Sequence, residues 1–140
     1  MILHCNFEEI QALKAGARSF LEGGAEGPVP VRAPAGIRAQ VEALLSRLVG
    51  DLDVQSLAEA QGLRVAVRII VDHLRAEMEA FVVDTHAADE AAVAAYFDFA
   101  HALSVSHRLD HLVAEMEALV ELLTGEPADD EAALAFRFPE

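Results

Sequence analysis

The chain has 140 residues, 54% of them hydrophobic, with 24 acidic against 10 basic side chains and a formal net charge of −14. This apolar content is enough for one core and excludes disordered and collagen-like chains, while the negative charge argues against nucleic-acid binding. Fifteen of the acidic residues but only two of the basic ones follow residue 75, so the negative field belongs to the C-terminal half.

The start of the chain predicts a short strand followed by a helix. Alternating apolar residues favour a strand over residues 2–7. Asn6 and Glu9 have the spacing of a capping box, which begins a helix over residues 7–22. Three prolines and four glycines then predict a loop over residues 23–36.

Four or five further helices are predicted from apolar periodicity and capping residues. The second helix covers residues 37–49. Asp51 or Asp53 caps the next helix, which Gly62 interrupts before a long helix over about residues 63–85. An Ala-rich helix over about residues 89–103 leads into a last helix that ends at Thr124. The pattern leaves open whether these last two are one helix or two.

The C-terminal tail predicts a second short strand, because apolar residues alternate along it at Leu134, Phe136 and Phe138. A two-stranded ribbon is marginal by itself. We therefore expect the two chain ends to pair with each other over the helices or with a partner chain.

An internal repeat stands out in the second half of the chain. The segment Asp72–Ala80 returns as Asp110–Ala118, with eight of nine residues identical. This predicts tandem helical-hairpin units over about residues 51–87 and 88–125. Each unit is expected to pack the same apolar stripe against a shared core. The predicted fold is a mainly α helical bundle in a single domain over residues 1–140.

A cluster of histidines is the sharpest chemical signal, since five of the six lie between residues 73 and 111. Imidazole and carboxylate groups four residues apart share a helix face, where they can bind one zinc, iron or manganese ion. The alternative is a structural His–Glu pair within a helix. The predicted metal ligands are His73, Glu77, His107, His111 and Glu115.

The remaining features favour a protein without catalytic activity. Cys5 is the only cysteine, which fits the cytoplasm, and neither a signal peptide nor an apolar stretch long enough to span a membrane is expected. No phosphate loop or nucleophile elbow occurs. We expect a nonenzymatic, acidic, soluble helical protein-interaction or self-assembly module, without a cofactor, that binds a protein partner or itself as a homo-oligomer. The alternatives are a metal-binding bundle acting as a sensor or enzyme, and a histidine-based pH switch.

Overall fold

A computed structural model describes residues 1–23, 34–85 and 90–125. These residues form the mainly helical bundle that the sequence predicts, together with a short antiparallel sheet. The helices are α1 (Phe7–Glu22), α2 (Ala35–Arg47), α3 (Leu57–Thr85) and α4 (Glu90–Thr124), and the strands are β1 (Ile2–Leu3) and β2 (Leu52–Asp53). Among the described residues, no helix has both the length and the apolar character needed to cross a membrane.

The predicted capping box begins α1. The side chain of Asn6 accepts a hydrogen bond from the backbone N–H of Glu9 at 2.8 Å, and the Glu9 carboxylate accepts one from the N–H of Asn6 at 2.9 Å. Each side chain thereby satisfies a backbone donor that the first helical turn leaves unpaired. The prediction for the first helix is confirmed.

The N-terminal strand is shorter than predicted and finds its partner within the first half of the chain. β1 pairs antiparallel with β2, with Leu3 opposite Leu52. The ladder stops after Leu3 because the N–H of Cys5 donates to the Asp51 carboxylate at 3.0 Å instead of to a strand. The predicted C-terminal strand, and with it the expected pairing between the chain ends, lies outside the described residues.

α3 runs from Leu57 through Gly62, so the helix predicted before Gly62 and the long helix predicted after it are one. The predicted cap at Asp51 or Asp53 is wrong, because residues 52–53 form β2. The Ser56 hydroxyl accepts a hydrogen bond from the N–H of Glu59 at 3.2 Å, and the Glu59 carboxylate accepts one from the N–H of Gln55 at 3.0 Å. This cap starts the helix at Leu57, which is fully buried. A glycine in a helix costs only about 1 kcal/mol relative to alanine, so the helix continues through Gly62.

The last two predicted helices are one continuous helix, α4. The serine-containing stretch 104–106 does not break it, because Val105 and Ser106 are buried against the bundle. Gly125, at a φ of 72°, ends the helix in the left-handed conformation that glycine adopts readily.

α3 and α4 pack antiparallel and form the largest contact in the bundle. Arg68 Nη2 lies 2.9 Å from Asp110 Oδ1, and further along α3 the Arg75 guanidinium lies over the ring of Phe99, 5.3 Å from its centroid. Each predicted repeat unit contains a single helix. The two units together therefore make one helical hairpin, rather than one hairpin each.

The repeated nine-residue segments do not bury the same stripe. His73 is buried in α3, whereas the corresponding His111 in α4 is exposed. The relation reverses for the methionines, because Met78 is half-buried while Met116 is fully buried. The same sequence is therefore rotated differently against the core in the two helices.

The one position that differs between the two segments also differs in burial. Arg75 is exposed on α3, while Val113 at the same place in α4 is fully buried. Valine is often buried in cores, whereas arginine rarely is, so each residue suits the face on which it lies. The two segments therefore do not bury the shared stripe that the sequence predicts for the two units.

Gly16 allows α1 to approach α3 closely. A Cβ at this position would lie 2.6 Å from Cγ2 of Ile70 and 2.9 Å from Cδ1 of Leu74, both in the core. Real Cβ atoms do not tolerate such distances without movement of the neighbours.

A pair of glycine substitutions tests this helix contact. Gly16→Ala is expected to lower the free energy of unfolding by about 1–3 kcal/mol, since it overpacks the core. Gly62→Ala, where a Cβ meets nothing within 4 Å, is expected to raise it by about 0.5–1 kcal/mol. Urea unfolding followed by circular dichroism measures both. Equal stabilisation by the two substitutions would contradict the close approach of α1 to α3.

Candidate functional site

A buried cluster of polar side chains joins α1 to α3. Nε2 of His73 lies 3.0 Å from Oγ of Ser19 and 2.7 Å from Oε1 of Glu77, and the Ser19 hydroxyl also donates a hydrogen bond to Glu77. The ring of Phe20 meets the imidazole edge to face, with centroids 5.7 Å apart. His73 and Glu77 thus form the i,i+4 contact that their spacing predicts.

Asp98 and His101 on α4 interact electrostatically with one another, and Asp98 also interacts with Glu77 of this cluster. Burial raises the pKa of Glu77, but hydrogen bonds from His73 and Ser19 and the charge of His73 outweigh it, so the pKa lies below its usual range. Burial raises the pKa of Asp98, and the charge of Glu77 adds to the rise while His101 opposes it, so its net shift is upward. The surroundings therefore stabilise the charge of Glu77 and disfavour the charge of Asp98.

The contacts within this cluster do not form a catalytic relay. In a Ser–His–acid triad the serine and the acid bind opposite ring nitrogens of the histidine. Here Ser19 and Glu77 both contact Nε2 of His73. The three groups satisfy one another in the interior, which is a structural arrangement.

The five predicted metal ligands lie in three separate places. His73 and Glu77 face α1, while the other three are exposed on α4. His107 lines one groove on α4, and His111 and Glu115 line another with residues 2–4. In the described ranges no three His, Cys, Asp or Glu side chains are grouped to hold a metal ion. The different rotation of the two repeat segments keeps these ligands apart.

A buried ion pair ties the start of the chain to the middle of α4. Glu9 is only 4% exposed, and Arg108 donates hydrogen bonds to its carboxylate and, at 2.5 Å, to the carbonyl of His4. Burial raises the pKa of Glu9, but hydrogen bonds from Asn6, Arg108 and Ser104, together with the charge of Arg108, bring it below its usual range. The capping box indicated Glu9, but no local signal indicated a partner 99 residues away.

An exposed apolar surface runs along the first half of α4. Val93, Tyr96 and Phe97 are 41%, 56% and 55% exposed, and Ala100 and Leu103 continue the same face at spacings of three and four. We call these five residues the α4 surface. The rings of Tyr96 and Phe97 meet edge to face at 5.8 Å.

A shallow groove of about 430 Å³ follows the α4 surface. It is lined by Tyr96, Phe99, Ala100, Leu103, Ser104, His107 and Arg108. The sequence does not predict this surface, because the first half of α4 is apolar on two faces. Ala92, Ala95 and Ala102 supply the buried face, and periodicity alone does not say which face meets the core.

Comparison with known proteins identifies no relative, since no protein-family model, curated protein or solved structure matches this chain.

The opposite pKa shifts of Glu77 and Asp98 predict opposite effects of removing each charge. Glu77→Gln is expected to lower the free energy of unfolding at pH 7 by about 1–3 kcal/mol, because hydrogen bonds to a charged group are lost. Asp98→Asn is expected to raise it, since an unfavourably buried charge is removed. Chemical denaturation from pH 3 to pH 7 measures both.

The pH dependence of the free energy of unfolding is the control for the Glu77→Gln and Asp98→Asn variants. The stability due to charged Glu77 is present above its usual pKa and is lost as the pH falls through its lowered value. The penalty from Asp98 appears as the pH rises through its raised value. The cluster would be described wrongly if Asp98→Asn destabilised the fold at pH 7 as much as Glu77→Gln does.

Proposed function

We propose that this chain is a nonenzymatic helical module that binds a protein chain, foremost another copy of itself, through the α4 surface. The exposure of Tyr96 and Phe97 carries the proposal. Single exposed apolar residues are ordinary on protein surfaces, but a contiguous apolar patch with aromatic side chains is typical of an interaction site.

The pairing of the buried polar groups supports a role without catalysis. Ser19, His73 and Glu77 bind one another, and the charge of Arg108 is directed at Glu9. The groove on α4 is lined largely by apolar and aromatic side chains. Such a lining fits the side chains of a partner helix, which bury their apolar face in a groove of this kind.

The acidic character of the rest of the chain fits the same role. A net charge of −14 favours solubility while one apolar surface stays available for binding. Charge of one sign also repels copies of the chain from one another, so an association between copies needs the apolar contact that the α4 surface offers.

Replacing both exposed aromatic residues tests the proposal. The double variant Tyr96→Glu with Phe97→Glu is expected to raise the dissociation constant of the self-associated form by about 100-fold or more, because buried aromatic anchors at interfaces are each worth about 2 kcal/mol. Sedimentation velocity over a concentration series measures the change.

Val49→Glu is the matched control. Val49 is 85% exposed, lies just after α2 and is outside the α4 surface, so its substitution adds one negative charge, against two in the double variant, and is expected to leave association unchanged. Circular dichroism should show the same helicity in all three proteins. The proposal fails if the unmodified protein is a monomer throughout the series, or if Val49→Glu weakens association as much as the double variant.

A further inference from the structure

We infer that residues 134–138 of this chain bind as an extended segment along the free edge of β1, in a groove between β1 and α4. The groove has a volume of about 290 Å³ and is lined by residues 2–4 and by Arg108, His111, Leu112 and Glu115. We call it the β1 groove. It is separate from the α4 surface, so this inference goes beyond the proposed function.

The β1 groove runs along a strand edge whose backbone groups are free. Met1 and Val54 exchange two backbone hydrogen bonds, at 3.0 and 2.7 Å, so the N–H and C=O of the next pair, Ile2 and Asp53, point away from each other. Arg47 donates to the outward carbonyl of Asp53 at 2.7 Å. Within the described ranges, the outward N–H and C=O of Ile2 have no hydrogen-bond partner. An unpaired edge of this kind binds an extended segment through main-chain hydrogen bonds.

The lining shows that the groove follows this edge. Successive residues of a strand point to opposite faces of a sheet. The β1 groove is lined by three successive residues, 2–4, and by no residue of β2. It therefore lies beside β1 on the side away from β2, where the backbone of Ile2 is unpaired.

Apolar side chains connect the end of α4 to the β1 groove. Leu112, Leu119 and Leu122 share one helix face at spacings of seven and three. Leu122 is 79% exposed, and Ile2 in the groove is 55% exposed. In an extended segment over residues 134–138, one leucine and two phenylalanines lie on the same side. These side chains would cover the apolar part of the groove.

The length of chain after α4 selects this groove. Glu115 lies ten residues before Gly125, which is about 15 Å along the helix. Residues 126–133 span up to about 26–29 Å when extended, so Leu134 reaches the groove with chain to spare for the turn. Leu103, the nearest part of the α4 surface, is about 33 Å from Gly125 and out of reach of Leu134. So short a connection also favours the segment of the same chain over that of a second copy.

The charges favour the same place. Arg108 is the only lysine or arginine of α4, and 40% of its side chain stays exposed beside the Glu9 carboxylate. The exposed imidazoles of His4 and His111 add hydrogen-bonding nitrogens to the groove. Residues 126–131, just before the binding segment, carry four acidic side chains and no basic one. The β1 groove is therefore the part of the second half of α4 that repels this acidic stretch least.

Hydrogen exchange of the Ile2 amide, followed by NMR in the full chain, tests this inference. The amide is expected to exchange about tenfold more slowly in the unmodified protein than in Phe136→Glu, because a charge on the buried side of the segment releases it from the edge. Ala135→Glu is the matched control. It adds the same charge one residue away, on the opposite side of the segment, and is expected to keep the slow exchange. Circular dichroism should show the same helicity in all three proteins.

The variant Tyr96→Glu with Phe97→Glu separates this inference from the proposed function. Slow exchange of the Ile2 amide is expected to persist in this background and to be independent of protein concentration. Slow exchange seen only at high concentration would assign the segment to a second copy and overturn the inference. Equally fast exchange in the unmodified protein and Phe136→Glu, or equal loss of protection in Ala135→Glu, would also overturn it. The sedimentation experiment on the α4 surface would stand unaffected by either result.

Discussion

The buried carboxylate of Glu9 holds three parts of the molecule together. It caps the first turn of α1 through the N–H of Asn6, and it binds Arg108 and Ser104 on α4. Arg108 in turn holds the carbonyl of His4, just after β1. A carboxylate this deeply buried is stable only with its partners in place, so the orientation of α4 against α1 is constrained at this point. That orientation decides which face of α4 is buried and which stays exposed.

Local signals in the sequence are enough to predict much of the fold. The spacing of Asn6 and Glu9 predicts the start of α1, and apolar periodicity predicts a bundle of helices. Gly62 shows the limit of such signals, because the Ser56 cap and the burial of Leu57 outweigh a helix-weakening glycine. Packing against the rest of the bundle decides such cases, and a local pattern does not contain that information.

The candidate sites depend on contacts between residues far apart in the chain. The i,i+4 spacing of His73 and Glu77 is sufficient to predict their pairing, but not the contact with Ser19 on another helix. The predicted metal site assumed that identical segments occupy identical surroundings. The two segments bury different positions: Val113 and Met116 lie in the core on α4, and His111 is left exposed.

The proposed interface follows from the same rotation of α4. Burial of Val113 and Met116 directs one face of the helix inward, and the first half of the helix is left with apolar residues on the outside as well. A helix that is apolar on two faces normally has a neighbour on each. α1 and α3 cover one face of α4, and a second copy of the chain is our candidate for the other.

Tyr96 allows the most direct test of this account, because the chain has one tyrosine and no tryptophan. Its intrinsic fluorescence therefore reports on the α4 surface alone. The account predicts that acrylamide quenches this fluorescence weakly at high protein concentration and more strongly on dilution, over the same range in which the sedimenting mass falls. Quenching that stays constant while the mass falls, or a monomer with an accessible tyrosine at every concentration, would contradict the claim that Tyr96 lies in a self-association interface.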